Sequence, residues 1–122
     1  FESNAISRST LNKRADRAIP LSIGLSETPL IYAVEKDNDF IGYVIYHDYD
    51  SESVEIGWVL EPSFWGLGIA SCLTSGMIAK ARNSGKQVVI ECVPEQKSSI
   101  RIAEKYGFQK CGIIDGLMIY RL

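Results

Sequence analysis

"EPSFWGLGIASCL", residues 61–73, decides how this chain is read. Gly66 and Gly68 stand two apart where a run of helical apolar periodicity begins. Glycine inside a helix costs roughly 1 kcal/mol relative to alanine. Two of them at a helix mouth, beside Trp65, need a reason that helix stability does not supply. The first backbone N–H groups of a helix lack intrahelical acceptors, and the aligned peptide dipoles put partial positive charge there. Glycine removes the Cβ that would keep a phosphate away from those groups. The loop contains no cation of its own, because no Lys or Arg lies between Leu60 and Ile78. Taken alone, the two glycines fit a tight strand-to-helix turn equally well. Their spacing is neither G-x-G-x-x-G nor G-x-x-x-x-G-K-[ST], so neither a dinucleotide fingerprint nor a P-loop is supported.

Working upstream, "VEIGWVL" (54–60), "FIGYVIYHDY" (40–49) and "LIYAVEK" (30–36) are rich in strand formers and separated by "KDND" and "DYDSES" turns. They predict an antiparallel meander. Residues 1–18 show sparse helical periodicity at Ile6, Leu11, Ala15 and Ala18, and Pro20 to Pro29 reads as loop. Downstream, Ala70, Leu73, Met77 and Ala81 define one apolar helix face over about 66–84, with Gly85 to end it. "KQVVIECV" (86–93) is a buried strand. "SSIRIAEKYG" (98–107) is a short helix capped by Ser98 or Ser99 and closed by Gly107. "FQKCGII" and "GLMIYRL" form a hairpin about Asp115-Gly116. The order is β-β-β-α-β-α-β-β after a helical or loop-like start, so the sheet is mixed, with crossovers around the two helices.

The 122 residues suit one domain, with 1–29 a partial N-terminal segment and 30–122 the core. The net charge of −2 and interspersed charges do not point to a nucleic-acid partner. Cys72, Cys92 and Cys111 form no CxxC pair, and the one histidine, His47, has no ligand-like neighbour in sequence, so no metal site is expected. Unpaired cysteines favour a reducing, cytoplasmic setting, with Cys92 and Cys111 in the core. No stretch approaches the roughly 18 apolar residues of a membrane span. The chain does not begin with Met, and its first residues read as the middle of something longer.

The run "EIGWVLEPSFWGLGIASCL" followed by "VPEQKSSIRIAEKYGFQKCG" resembles the GCN5-related N-acetyltransferase (GNAT) superfamily, most of all its ribosomal-protein alanine N-acetyltransferase branch. The pyrophosphate motif of that family falls here on Trp65, Gly66, Leu67, Gly68, Ile69 and Ala70, with Trp65 in place of a basic or amide residue. Its second motif falls on Gln96, Ser99, Gly107 and Phe108, with Gln96 where Asn is common. The resemblance covers about residues 30–122. It implies an α+β fold of three-layer type, with a mixed, mostly antiparallel sheet flanked by helices and an N-terminal portion truncated in this chain.

It also implies acetyl-CoA as donor, no metal, and a primary amine, small molecule or protein N-terminus, as acceptor in a direct attack. Trp58, Val59 and Leu60 then offer backbone groups to the pantetheine arm on a strand that splays from its neighbour. Glu55 is the candidate general base, with Asp115 a weaker one. Ser99 stands where a hydroxyl protonates the leaving thiolate. The tyrosine that many relatives place four residues before the Gly-Phe glycine is Ala103 here, and Tyr106 is read as packing. Trp58 and Trp65 are read as wall and cover of the groove, Cys72 as non-catalytic, and His47 as a surface or strand-end residue. A catalytically silent CoA-binding scaffold and a non-enzymatic interaction domain are the competing readings. A sheet beginning at "LIYAVEK" exposes an edge that invites a homodimer.

Overall fold

The alternation over residues 31–60 does fold as a meander in the computed structural model, which describes residues 17–21 and 31–122. Its strands are β2 (Ile31–Lys36), β3 (Asp39–Asp48) and β4 (Ser53–Leu60), each antiparallel to the next. A fourth strand precedes them. β1 (Arg17–Leu21) pairs antiparallel with β2, from Arg17 opposite Glu35 to Leu21 opposite Ile31. This corrects the helix-then-loop reading at residues 17–21. Pro20 opens the stretch read as loop, but among the described residues β1 is an edge strand, the place in a sheet where proline is tolerated. It also removes the premise of the homodimer argument, since the β2 edge is occupied within the chain. The remaining expectations for residues 1–16 and 22–30 lie outside the described residues.

After β4 come a 3-10 turn (Pro62–Phe64), α1 (Ile69–Asn83), β5 (Gln87–Cys92), α2 (Lys97–Lys105), β6 (Gln109–Ile114) and β7 (Leu117–Arg121). The sheet order is β1-β2-β3-β4-β5-β7-β6, with β4–β5 parallel and every other pair antiparallel. The mixed, mostly antiparallel sheet is therefore as expected. Ile69, Cys72, Leu73, Met77, Ile78 and Ala81 of α1 share one buried cluster with Val54, Ile56, Val88, Ile90 and Cys92 of the sheet and Ala103 of α2. Ala70, placed on the apolar face by periodicity, is only half-buried.

Both helices close by the same local pattern. Lys86 N bonds Ala81 O and Gly85 N bonds Arg82 O; Phe108 N bonds Ala103 O and Gly107 N bonds Glu104 O. This satisfies carbonyls that the helix ends would orphan, and Gly85 (φ 69°) and Gly107 (φ 85°) supply the left-handed residue it requires.

Two local expectations need correction. The residue capping α2 is Gln96, which leaves Ser98 and Ser99 as the second and third helical residues. The turn that closes Gln96 N on Val93 O starts the helix early, so a serine cap is not used. Cys111 is exposed, because among the described residues β6 is the outer strand of the sheet and neither helix packs over it.

Candidate functional site

β4 stays paired with β3 along its whole length, but with β5 only from Ser53 to Glu55. β5 meanwhile continues to Cys92 against β7. The two central strands thus part after Glu55. Among the described residues, no strand covers the β5-facing edge of β4 beyond that point. A half-open cleft of about 570 Å³ lies where the strands part, within the range of small-molecule sites. Trp58, Leu60, Phe64 and Trp65 wall it on the strand side. Gly66, Gly68, Ile69, Ala70 and Ser71 form its floor at the start of α1. Ser98, Arg101, Ile102 and Lys105 of α2 close the other side.

The glycine question now has a geometric answer. Gly66 and Gly68 both lie in the left-handed region, at φ 76° and 79°. Gly68 is the residue capping α1, and the first helical bond runs from Cys72 N to Gly68 O, 3.1 Å. The amides of Ile69, Ala70 and Ser71 precede it and have no acceptor within the helix. A Cβ at Gly66 would meet no atom within 4 Å, so its smallness is not required by packing. What glycine provides there is the φ and an uncovered backbone.

The floor gathers positive groups. The first turn of α1 contains no acidic residue. Lys105 Nζ donates to Ser71 Oγ at 2.7 Å, and the Tyr106 hydroxyl donates to Ser71 O at 2.8 Å. Lys105 also stands over the Tyr106 ring, 5.4 Å from its centre. A cation beside a helix N-terminus opposes the macrodipole. Its placement there leaves two positive contributions converging on one cleft wall.

Trp58 and Trp65 both line the cleft. Trp65 is 65% exposed, yet its indole Nε1 donates to Leu60 O at 2.9 Å, tying the turn to the end of β4. That bond occupies one acceptor position of a carbonyl assigned to the pantetheine arm and leaves the oxygen a second lone pair. Val59 is 47% exposed and, by strand alternation, points to the opposite face from Trp58 and Leu60. Leu67 is exposed at the loop tip. Gln96 and Ser99 lie at the start of α2 but not in the lining; Gln96 Oε1 accepts from Val93 N at 3.0 Å, and Ser99 is half-buried. Tyr106 packs, as read. Asp115 sits in the β6–β7 turn at φ 52°, not in the cleft lining.

Glu55 is the last residue of β4 paired with β5, opposite Val89, so it marks the apex of the parting strands. It pairs directly with His47 of β3, whose Nε2 is 3.3 Å from Glu55 Oε1. Burial holds the Glu55 carboxyl above its ordinary range, the charge of Glu91 on β5 adds to this, and His47 opposes it. Among the described residues, no group of three or more His, Cys, Asp or Glu is arranged to hold a metal. No described helix is long and apolar enough to cross a membrane.

Sequence reasoning missed Arg101 and Lys105. Their signal was present: they stand four apart on α2 and so share one helix face. What was not legible is which element that face meets.

The family described as acetyltransferase (GNAT) domain matches residues 3–109. An uncharacterized N-acetyltransferase of Bacillus subtilis (strain 168), YnaD, is 30% identical over 82 residues, 63% of this chain and 48% of that protein. The chain thus spans about half the length of the curated relative it matches. Among solved structures, a GNAT-family acetyltransferase from Bacillus anthracis superposes with a TM-score of 0.68 at 23% identity, covering 77% of this chain and 66% of that one. A GNAT-family acetyltransferase from Elizabethkingia anophelis with acetyl-CoA bound gives 0.67 at 20%, covering 75% and 74%. A ribosomal-protein-alanine N-acetyltransferase from Brucella melitensis gives 0.65 at 19%, covering 75% and 67%. At these identities the superpositions establish the fold.

Proposed function

This chain belongs to the GNAT acetyltransferase family, and on that premise we propose that it transfers the acetyl group of acetyl-CoA to a primary amine by direct attack. The observation that carries the reading is the positive floor of the cleft: the free first-turn amides of α1 and Lys105 on Ser71, with no acidic residue in that turn. Such a floor fits a diphosphate. We assign the pyrophosphate to the backbone of Gly66, Leu67, Gly68, Ile69 and Ala70, with Arg101 and Lys105 adding charge. Trp58, Val59 and Leu60 guide the pantetheine arm along the open edge of β4, and Trp65 covers it. Gln96 shapes the turn into α2.

Acetyl-CoA supplies an acyl thioester, and the chain supplies placement and proton handling. From Leu60 back to Glu55 the strand rises about 17 Å at ~3.3 Å per residue, which leads from the phosphate floor to the apex. Glu55 is the proposed base at that apex. Burial and the neighbouring Glu91 raise its proton affinity, the direction a general base needs. Ser99, at the start of α2, is the proposed donor to the leaving thiolate. The acceptor is a small-molecule amine or a protein N-terminus. Roughly a tenth of α-amino groups are already neutral at pH 7, against well under a thousandth of lysines, so an N-terminus asks least of Glu55.

The test is calorimetry with acetyl-CoA, followed by thiol-release assays on a peptide with a free N-terminal alanine, spermidine, an aminoglycoside and free amino acids. Saturable binding and thiol release with at least one of these are expected. No binding at millimolar acetyl-CoA would overturn the reading. Binding without thiol release would favour a silent CoA-binding module.

A further inference from the structure

The face of the sheet away from α1 and α2 carries polar groups that are not part of the cleft lining. His47 (β3), Glu55 (β4) and Glu91 (β5) lie there by strand alternation, on three adjacent strands. Tyr49, just past the end of β3, carries Arg121 of β7 over its ring at 5.3 Å, while Arg121 also pairs with Asp50 at 3.3 Å. Asp48 stands next to His47 in the chain, and Tyr49 also hydrogen-bonds Glu91.

The hydrogen-bond geometry of His47 constrains where protons sit. Its Nδ1 is 3.0 Å from Asp48 O, and a carbonyl oxygen only accepts. Nδ1 must therefore carry a proton to make that bond. In the neutral ring Nε2 is then an acceptor, facing Glu55 Oε1 at 3.3 Å. An ionised Glu55 would place two acceptors against each other with no hydrogen between them. One added proton resolves this, either on Nε2, giving imidazolium and carboxylate, or on Glu55, giving imidazole and carboxylic acid. The pair is thus built to hold one mobile proton. His47 is the more open member, at 32% side-chain exposure against 23% for Glu55.

We propose that His47 and Glu55 act as one proton-carrying pair, which takes the proton lost by the acceptor amine at the apex of the parting strands and passes it to solvent through His47. It rests on the reading of Glu55 as the base. The acceptor R–NH3+ gives one proton to the pair. The freed nitrogen electron pair forms the N–C bond to the thioester carbonyl carbon. The C–S bond breaks with its electrons on sulfur, the second nitrogen proton reaches that thiolate, and the pair returns its proton to water. The balance is ammonium plus acetyl thioester giving amide, thiol and one released proton. His47 is a positioning residue in this scheme, acting through Glu55.

The chain has one histidine, so its ring C–H resonance reads His47 directly without any acceptor. That resonance is expected to shift in Glu55→Gln, because the group facing Nε2 at 3.3 Å changes from a carboxylate to an amide. An unchanged resonance would overturn proton sharing. With the best amine found above, His47→Gln should lower kcat about tenfold, a fraction of the 10²–10⁴ that direct proton transfer contributes. It should also flatten the pH profile and leave acetyl-CoA affinity unchanged. Added imidazole should restore part of the rate to His47→Ala. If Glu55→Gln is inactive while His47→Gln matches the parent in rate and pH profile, the relay fails and the base stands. If Glu55→Gln keeps full turnover, the base reading itself fails. Should His47→Gln not fold, His47→Asn serves the same comparison.

Discussion

Lys105 Nζ lies 2.7 Å from Ser71 Oγ, so the end of α2 delivers a cation to the first turn of α1, 34 residues away in sequence. The glycine loop that precedes α1 supplies amides but no cation of its own. Removing the cation should weaken anion binding without disturbing the fold, because Lys105 is exposed. A hydrogen bond to a charged group is worth about 1.5–3 kcal/mol, so Lys105→Met should cost about 10- to 100-fold in acetyl-CoA affinity. Calorimetry at low and high salt checks this, and the variant should show the shallower salt dependence.

The two loop glycines should separate under substitution. Gly68 caps α1 at φ 79°, and an added Cβ there costs about 1–2 kcal/mol in a left-handed backbone. Gly68→Ala should therefore lower both thermal stability and acetyl-CoA affinity. A Cβ at Gly66 meets no protein atom. Gly66→Ala bears the same backbone cost at φ 76°, so any loss of affinity beyond that of Gly68→Ala reports a ligand pressed against Gly66. Denaturation midpoints and acetyl-CoA titrations of the two variants, side by side, decide it.

With Gln96 as the capping residue, Ser99 is free of the role that would have confounded its test. Ser99→Ala should change stability by no more than about 0.5 kcal/mol. If Ser99 returns the proton to the thiolate, kcat should fall about 10²-fold with acetyl-CoA affinity unchanged. Ser98→Ala is the comparison, since Ser98 is the serine in the cleft lining. A loss confined to Ser98→Ala would move the donor by one residue.

Asp50 gives a pH prediction of known sign. Hydrogen bonds from Ser53 Oγ and then the Glu52 amide hold its carboxyl at about 2, with Arg121 contributing. A carboxyl depressed in the folded state stabilises above its unfolded pKa and loses that contribution as pH falls through the folded value. The parent should lose stability between about pH 4 and pH 2 more steeply than Asp50→Asn. Midpoints of thermal unfolding across that window test it; parallel curves would show that Asp50 does not contribute.

Much of this molecule was legible in the chain. Apolar alternation over 31–60, the 3.6-residue spacing of Leu73, Met77 and Ala81, and glycines after each helix are local signals, and each folded as local physics dictates. The glycine loop at 66–68 was legible because a left-handed backbone at a helix start leaves few residue choices. The tertiary structure decided the rest. It made Arg17–Leu21 a strand, since an edge position beside β2 tolerates Pro20 in a way no local pattern reveals. It left Cys111 exposed, because the position of β6 in the sheet is set by pairing order. It brought Arg101 and Lys105 to the start of α1, and it set the one histidine, at the end of β3 as expected, opposite Glu55. Each of these depends on which surfaces meet. Periodicity fixes the face an element presents, but the partner of that face is chosen only when the whole core is buried at once.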